Sequence, residues 1–209
     1  MQKRIEVCGG IAAGKTTLVS GLRETEFSPI YECFRDTQFY NAFYENPASY
    51  AFEAEIDFLL QHYHMIKRET HRSNLICDYS LWLDHAYANT NLSGKKHRAF
   101  SAVWKEALSD IGYPALIINL QCEPTIQKDR ITRRDRSEEE SITIEYLAKL
   151  NYQIEQEIVL LRDEVPILDI DVTRVDFTST APNGRPVLDR IGNTISHLLS
   201  NGHFGRHKF

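Results

Sequence analysis

The octapeptide Gly9–Thr16, GGIAAGKT, sets two glycines, a lysine and a hydroxyl at the offsets GxxxxGK[ST]. Glycines let the backbone curl until several N–H groups converge on phosphate oxygens. A helix opening at Gly14 points its positive end at the same oxygens. Lys15 then reaches the β- and γ-phosphates of a nucleotide, and Thr16 can ligate Mg²⁺. A second cluster, KDRITRRDRSEEE at Lys128–Glu140, places Arg130, Arg133, Arg134 and Arg136 close together. The first three share one helical face at spacings of three and four. Guanidinium forks bind phosphate oxygens bidentately and stabilise a transferring phosphoryl group. Both clusters point to nucleotide phosphate chemistry. Alone they do not separate a kinase from a GTPase, an ATPase or a binding protein.

These residues need a scaffold that aims a strand end and a helix start at one point. Short apolar runs at Ile5–Cys8, Ile30–Glu32, Leu75–Asp78, Ala115–Leu120 and Ile167–Ile170 read as strands covered on both faces. Helical patterns alternate with them, at about Gly14–Arg23, Pro47–Arg72, Leu81–Ala88, Arg98–Ile111, Thr125–Arg133, Ile144–Arg162 and Val187–Ser200. In the long second pattern Phe52, Ile56, Leu59, Leu60, Tyr63 and Ile66 recur at three and four residues. Strands alternating with helices imply a parallel α/β sheet. The expected organisation is one domain over residues 1–200, with a polar loop at Thr178–Pro186 and a flexible tail over 201–209.

Composition narrows the class. The 209 residues are 42% apolar and 25% charged, which excludes a disordered or low-complexity chain. Lys+Arg 24 against Asp+Glu 29 gives a net charge of −5, poorly suited to a DNA or RNA polymer partner. No apolar run is long enough to span a membrane, and the apolar stretch in MQKRIEVCGG is too short for a signal peptide. Cys8, Cys33, Cys77 and Cys122 lie far apart with no CxxC pair, so reduced thiols and a cytoplasmic location are expected.

Taken in order, several blocks resemble the deoxynucleoside kinase family. They are the phosphate loop, YE at Tyr31–Glu32, FYENPASYAFEAEIDFL at Phe43–Leu59, and DYSLWLDHAY at Asp78–Tyr87. RITRRDRSEEESITIEYLAKLNY at Arg130–Tyr152 and IDVTRVDF at Ile170–Phe177 complete the set. The resemblance implies a P-loop nucleoside/nucleotide kinase fold: a five-stranded parallel sheet flanked by helices, an Arg-rich lid at about 130–142, and a homodimer. It implies ATP with Mg²⁺ as donor and a nucleoside or analogue as acceptor. ATP is expected on Gly9, Gly10, Ala12, Ala13, Gly14, Lys15, Thr16 and Thr17, with Arg130 and Arg134, and with Val175, Asp176 and Phe177 around the adenine. Glu32 matches the carboxylate that takes the 5′-hydroxyl proton. Asp78 matches an acid near Mg²⁺, which Thr16 shares. Arg130, Arg134 and Arg136 match the lid arginines. Tyr44 and Glu139 match the pair gripping the sugar 3′-hydroxyl, and Asp84 an acid near the base.

Departures from the family pattern concentrate on the acceptor side. Glu55 stands for a base-reading glutamine, His62 for a base-side arginine and Tyr79 for the arginine of [DE]RS. Asp135 replaces the glycine of RGR, and Cys33 the proline after Glu32. An ionised Glu55 offers only acceptors and suits adjacent donors on a base; a protonated one can donate its O–H to a lone-pair nitrogen. Glu55 and His62 are two helical turns apart on one face, so a substrate-side charge pair is expected. Tyr79 removes a cation from beside Glu32. The expected function is phosphorylation of the 5′-hydroxyl of a deoxynucleoside or modified nucleoside. The alternatives are another small hydroxylated acceptor, or a kinase-like nucleotide-binding scaffold.

Overall fold

The computed structural model describes residues 3–22, 27–34, 37–69, 74–175, 177, 184–201 and 206–208. The strands are β1 (Lys3–Gly9), β2 (Ser28–Ile30), β3 (Asn74–Cys77), β4 (Leu116–Gln121), β5 (Ile167–Asp171) and β6 (Arg206–Lys208). They form one parallel sheet in the order β2-β3-β1-β4-β5-β6. The five expected strands are all present. Residues 206–208, expected in a flexible tail, instead pair with β5 as a sixth strand. The helices are α1 (Lys15–Gly21), α2 (Tyr40–Glu45), α3 (Pro47–Arg68), α4 (Leu81–Asn91), α5 (Gly94–Ile111), α6 (Pro124–Arg134), α7 (Ile144–Leu161) and α8 (Gly184–Asn201). Arg23, residues 70–73 and the 178–183 part of the expected polar loop lie outside the described residues.

Strand alternation divides the core. Cys8, Leu75, Cys77, Ile117 and Ile167 pack against α3, α4, α5 and α7. Ile5, Val7, Ile76, Leu116, Ile118, Leu168 and Ile170 pack against α1 and α8 on the opposite face. The helix after β1 thus covers one face and the helix after β3 the other. Where neighbouring strands send their helices to opposite faces, a crevice opens at their carboxyl ends. No helix among the described residues is long and apolar enough to cross a membrane.

Local chemistry sets the helix ends. Asn46 accepts from Ser49 N, and Pro47 fills the first turn of α3, where its missing N–H costs nothing. The Ser80 hydroxyl caps Trp82 N at 3.2 Å and starts α4 immediately after Asp78 and Tyr79. Helix α3 corrects the expected stripe. Its buried face is Ala51, Ala54, Glu55, Leu59, His62 and Ile66, while Leu60 is 46% exposed. Phe52, Ile56 and Tyr63 flank that face, packed against the core. Apolar periodicity alone misplaces the face because two of its positions carry ionisable side chains. Leu59, fully buried between them, anchors the helix. Leu59→Ala is expected to lose about 2–5 kcal/mol of stability, read as a lower urea midpoint at unchanged slope.

Candidate active site

At the end of β1 the chain turns through Gly9, Ala12 (φ 57°) and Gly14 (φ 99°) into α1. Gly14 holds a left-handed conformation that an L side chain resists. At Gly10 a Cβ would collide with the side-chain amides of Gln127 and Asn151. Those amides brace the loop from behind: Gln127 donates to Ile11 O at 2.8 Å, and Asn151 donates to Gln127 Oε1 at 2.7 Å and to Cys122 O at 3.0 Å. Lys15 Nζ donates to Gly9 O (2.9 Å) and Gly10 O (3.3 Å), curled over the loop.

Asp78, just past β3, joins this loop to the acceptor side. Its Oδ2 accepts from the Thr16 hydroxyl at 2.7 Å, and its Oδ1 from Glu32 N at 2.6 Å. Burial raises the Asp78 pKa against those two hydrogen bonds. Thr16 and Asp78 together offer hard oxygens beside the phosphate loop, a donor set that fits Mg²⁺.

The acceptor side is built on α3 and α4. His62 Nδ1 lies 2.9 and 3.0 Å from the two oxygens of Asp84. Its Nε2 faces Glu32 Oε1 at 3.3 Å, an ion-pair separation. Burial disfavours the imidazolium, but Asp84 and Glu32 outweigh it and push the pKa up to about 10. Burial would raise Glu32, yet the adjacent His62 above all, with Lys15 and Arg136, holds it below the ordinary carboxylate value. The imidazole lies flat on Tyr79, centroids 4.0 Å apart and planes 10° apart.

Glu55 meets a different fate. Its Oε1 accepts from Asn91 Nδ2 at 2.7 Å, and Asn91 also reaches the Tyr146 hydroxyl at 3.1 Å. Burial, reinforced by the Asp84 charge and only partly offset by Asn91, pushes its pKa to about 8. The expected Glu55–His62 charge pair is therefore replaced by two separate pairs, Glu55–Asn91 and His62–Asp84. Two facing positions on α4 supply partners that the spacing along α3 does not reveal.

The arginine-rich segment is a helix end followed by a 3₁₀ turn, Ser137–Glu139. Asp135 sits at φ 49°, where the family pattern has glycine. Arg130 donates to Val172 O (2.7 Å) and Ala12 O (3.4 Å), tying the loop after β5 to the phosphate loop. Arg134 and Arg136 both pair with buried Glu139. The third partner of Glu139 is the Tyr40 hydroxyl at 3.2 Å. Tyr44, expected beside Glu139, stands one helical turn on, its ring 5.0 Å from Tyr40.

A cavity of about 900 Å³ unites these groups. Its lining includes Ala12, Ala13, Gly14, Lys15, Thr16, Thr17, Glu32, Tyr44, Glu55, Asp78, Asp84, Arg130, Arg134, Arg136, Glu139, Val175 and Phe177. Asp176 lies outside the described residues. Gly9, Gly10, His62 and Tyr79 do not line it. His62 and Tyr79, expected to touch substrate, are 2% and 1% exposed and stand behind the wall. Sequence reasoning missed the polar role of Tyr40, which sits on the Tyr44 face of α2. It also missed Asn91, two turns from Asp84 on α4, and the braces Gln127 and Asn151.

A family model described as "Deoxynucleoside kinase" matches residues 5–196. The chain belongs to the deoxynucleoside kinase family. It is similar to the deoxyguanosine kinase of Bacillus subtilis, 27% identical over 207 residues, covering 93% of this chain and 97% of that one. The deoxyadenosine kinase of Dictyostelium discoideum is 25% identical over 174 residues, covering 80% and 71%. The fold matches deoxyadenosine kinase from M. mycoides with bound dCTP at a TM-score of 0.78, 19% identity, and 91% and 99% coverage. As a member of this family the chain is a phosphotransferase acting on a hydroxyl group of a nucleoside.

The two shifted groups on α3 contribute to the pH dependence of this kinase's stability. Glu55 and His62 both bind protons more tightly folded than unfolded. Their contribution is present at low pH and falls as pH rises through about 8 and then about 10. Between pH 7 and 9 the wild-type melting temperature is expected to drop by several degrees more than that of Glu55→Gln, checked by calorimetry.

Proposed function

We propose that this kinase transfers the γ-phosphoryl group of ATP to the 5′-hydroxyl of a deoxynucleoside, with Glu32 as general base. The observation that carries this reading is the Asp78 carboxylate. It binds Thr16 of the phosphate loop at 2.7 Å and the Glu32 backbone at 2.6 Å, so donor and acceptor groups share one cavity. The hydroxyl gives its proton to Glu32 as its oxygen bonds to phosphorus and the bond to ADP breaks. Lys15 and the arginines of the 130–136 segment offset the charge on the equatorial oxygens. Thr16 and Asp78 would hold Mg²⁺, which neutralises charge on the β- and γ-phosphates when bound. Closure of the arginine segment as a lid excludes water, which would otherwise compete as acceptor. Val175 and Phe177, at the end of the cavity beyond Gly14, suit the adenine of the donor.

The base-reading group is Glu55. It lies two turns of α3, roughly 10 Å, from the residue that faces Glu32. Below pH 8 its carboxyl is neutral and offers one acceptor and one O–H donor. That pattern complements a lone-pair nitrogen beside an amino group, the edge shown by adenine and cytosine. We take the enzyme to be cytoplasmic, a setting that its four free cysteines suit. We also take it to act as a homodimer, a reading supported by Tyr152, Val159 and Leu160 exposed on α7.

ADP release is to be measured with ATP and Mg²⁺ against ribo- and deoxynucleosides of all common bases. Deoxyadenosine or deoxycytidine is expected to lead at pH 7, with deoxyguanosine gaining as pH rises through about 8. Glu55→Gln is expected to remove that shift. Glu32→Gln is expected to lower kcat about 10²–10⁴-fold, and chelation of Mg²⁺ to abolish turnover. Silence across the panel with ATP still bound would place the acceptor outside the nucleosides.

A further inference from the structure

Glu32 has a structural problem to solve. It sits in the loop after a three-residue strand, and its side chain is 32% exposed to the cavity. Among the described residues, its backbone N–H is fixed by Asp78. A general base must hold its oxygen within a few tenths of an ångström of the proton it accepts. The neighbouring cations are otherwise engaged. Lys15 donates to Gly9 and Gly10, while Arg136 pairs with Glu139 and lies 4.4 Å over the Phe34 ring. Among the described residues, the cationic group that faces Glu32 is His62. Its buried Nε2 has no aligned hydrogen-bond partner and faces Glu32 Oε1 at 3.3 Å.

We propose that His62, charged and anchored by Asp84, is the positioning residue that holds Glu32 for proton transfer, and that Tyr79 is its matched partner. This inference rests on the functional reading above. Three elements face the imidazole. Asp84 of α4 takes Nδ1, Glu32 after β2 faces Nε2, and Tyr79 between β3 and α4 covers one ring face at 4.0 Å. Phe58 of α3 stands 5.9 Å away at a tilt. Two carboxylates at the two ring nitrogens keep both protons on the ring, and a parallel aromatic face favours that cation. The arm comes from a 22-residue helix whose buried face, His62 included, packs against the core. With Oε1 turned to His62, Oε2 is left for the acceptor hydroxyl. A cationic side chain at position 79 would repel the imidazolium, so the residues at 62 and 79 act as a pair: one cation and one neutral aromatic face. His62 touches no substrate; it acts through Glu32.

The test is a cycle of His62→Asn, Tyr79→Arg and the double variant, with kcat and KM measured for each. Asn keeps a partner for Asp84 but does not reach Glu32. H62N is expected to lose about 10–100-fold in kcat with KM for ATP unchanged within about twofold. Y79R alone is expected to lose activity, and H62N/Y79R to recover about 5-fold or more over H62N, because the cation returns from the other side. Folded H62N with wild-type kcat, or a double variant no better than H62N, overturns the proposal. Where a variant does not fold, imidazole ¹⁵N shifts in the wild-type protein decide. A histidine with both ring nitrogens protonated at pH 8, lost in Glu32→Gln, supports the arm; neutral imidazoles throughout overturn it. Wild-type protein that phosphorylates no nucleoside defeats the functional reading itself, whereas wild-type turnover that H62N retains defeats only this inference.

Discussion

The Asp78 carboxylate is the contact on which the site depends. One oxygen holds the hydroxyl that follows the phosphate-loop lysine, and the other holds the backbone of the proposed base. The contact exists because the sheet order places β3 between β2 and β1, so the three carboxyl ends lie side by side. Strands next to one another in sequence would not suffice; the crossover through α2 and α3 brings the third strand between the first two. Burying the carboxylate is costly, and two hydrogen bonds to it offset that cost. Any shift in the register of β2 on β3 would therefore separate the donor half of the cavity from the acceptor half.

Helix α3 shows how environment, not residue type, assigns charge. Glu55 and His62 occupy one buried face, two turns apart. His62 lies between two carboxylates and is held as a cation. Glu55 has an amide partner and a neighbouring carboxylate, so burial makes it neutral near pH 7. The result is a wall that is anionic at Glu32, cationic just behind it and uncharged at the far end. That gradient suits a substrate whose hydroxyl must be deprotonated at one end and whose uncharged base must be read at the other.

Much of this was legible in the sequence. The phosphate loop has fixed offsets, and the five strands are short apolar runs whose alternation the sheet demands, so both emerge with ends within a few residues. The groups brought to the cavity by local motif are legible for the same reason. Pairings across elements are not. Nothing periodic connects His62 with Asp84, Glu55 with Asn91, or Tyr40 with Glu139, because each joins residues from separate helices or loops. The short helix Tyr40–Glu45 lacks an apolar stripe long enough to read. The sixth strand rests on backbone pairing at a sheet edge and has three residues. The buried face of α3 was misplaced by apolar counting because its ionisable members look like solvent-facing positions until the helices facing them are known.

The most direct measurement is a crystal structure of the protein with a deoxynucleoside and a non-hydrolysable ATP analogue. The account predicts the triphosphate over residues 10–16 and the 5′-oxygen within hydrogen-bond distance of Glu32. It also predicts that the base edge meets Glu55. A 5′-oxygen held away from Glu32, or a nucleoside bound outside the cavity that Asp78 ties together, would contradict it.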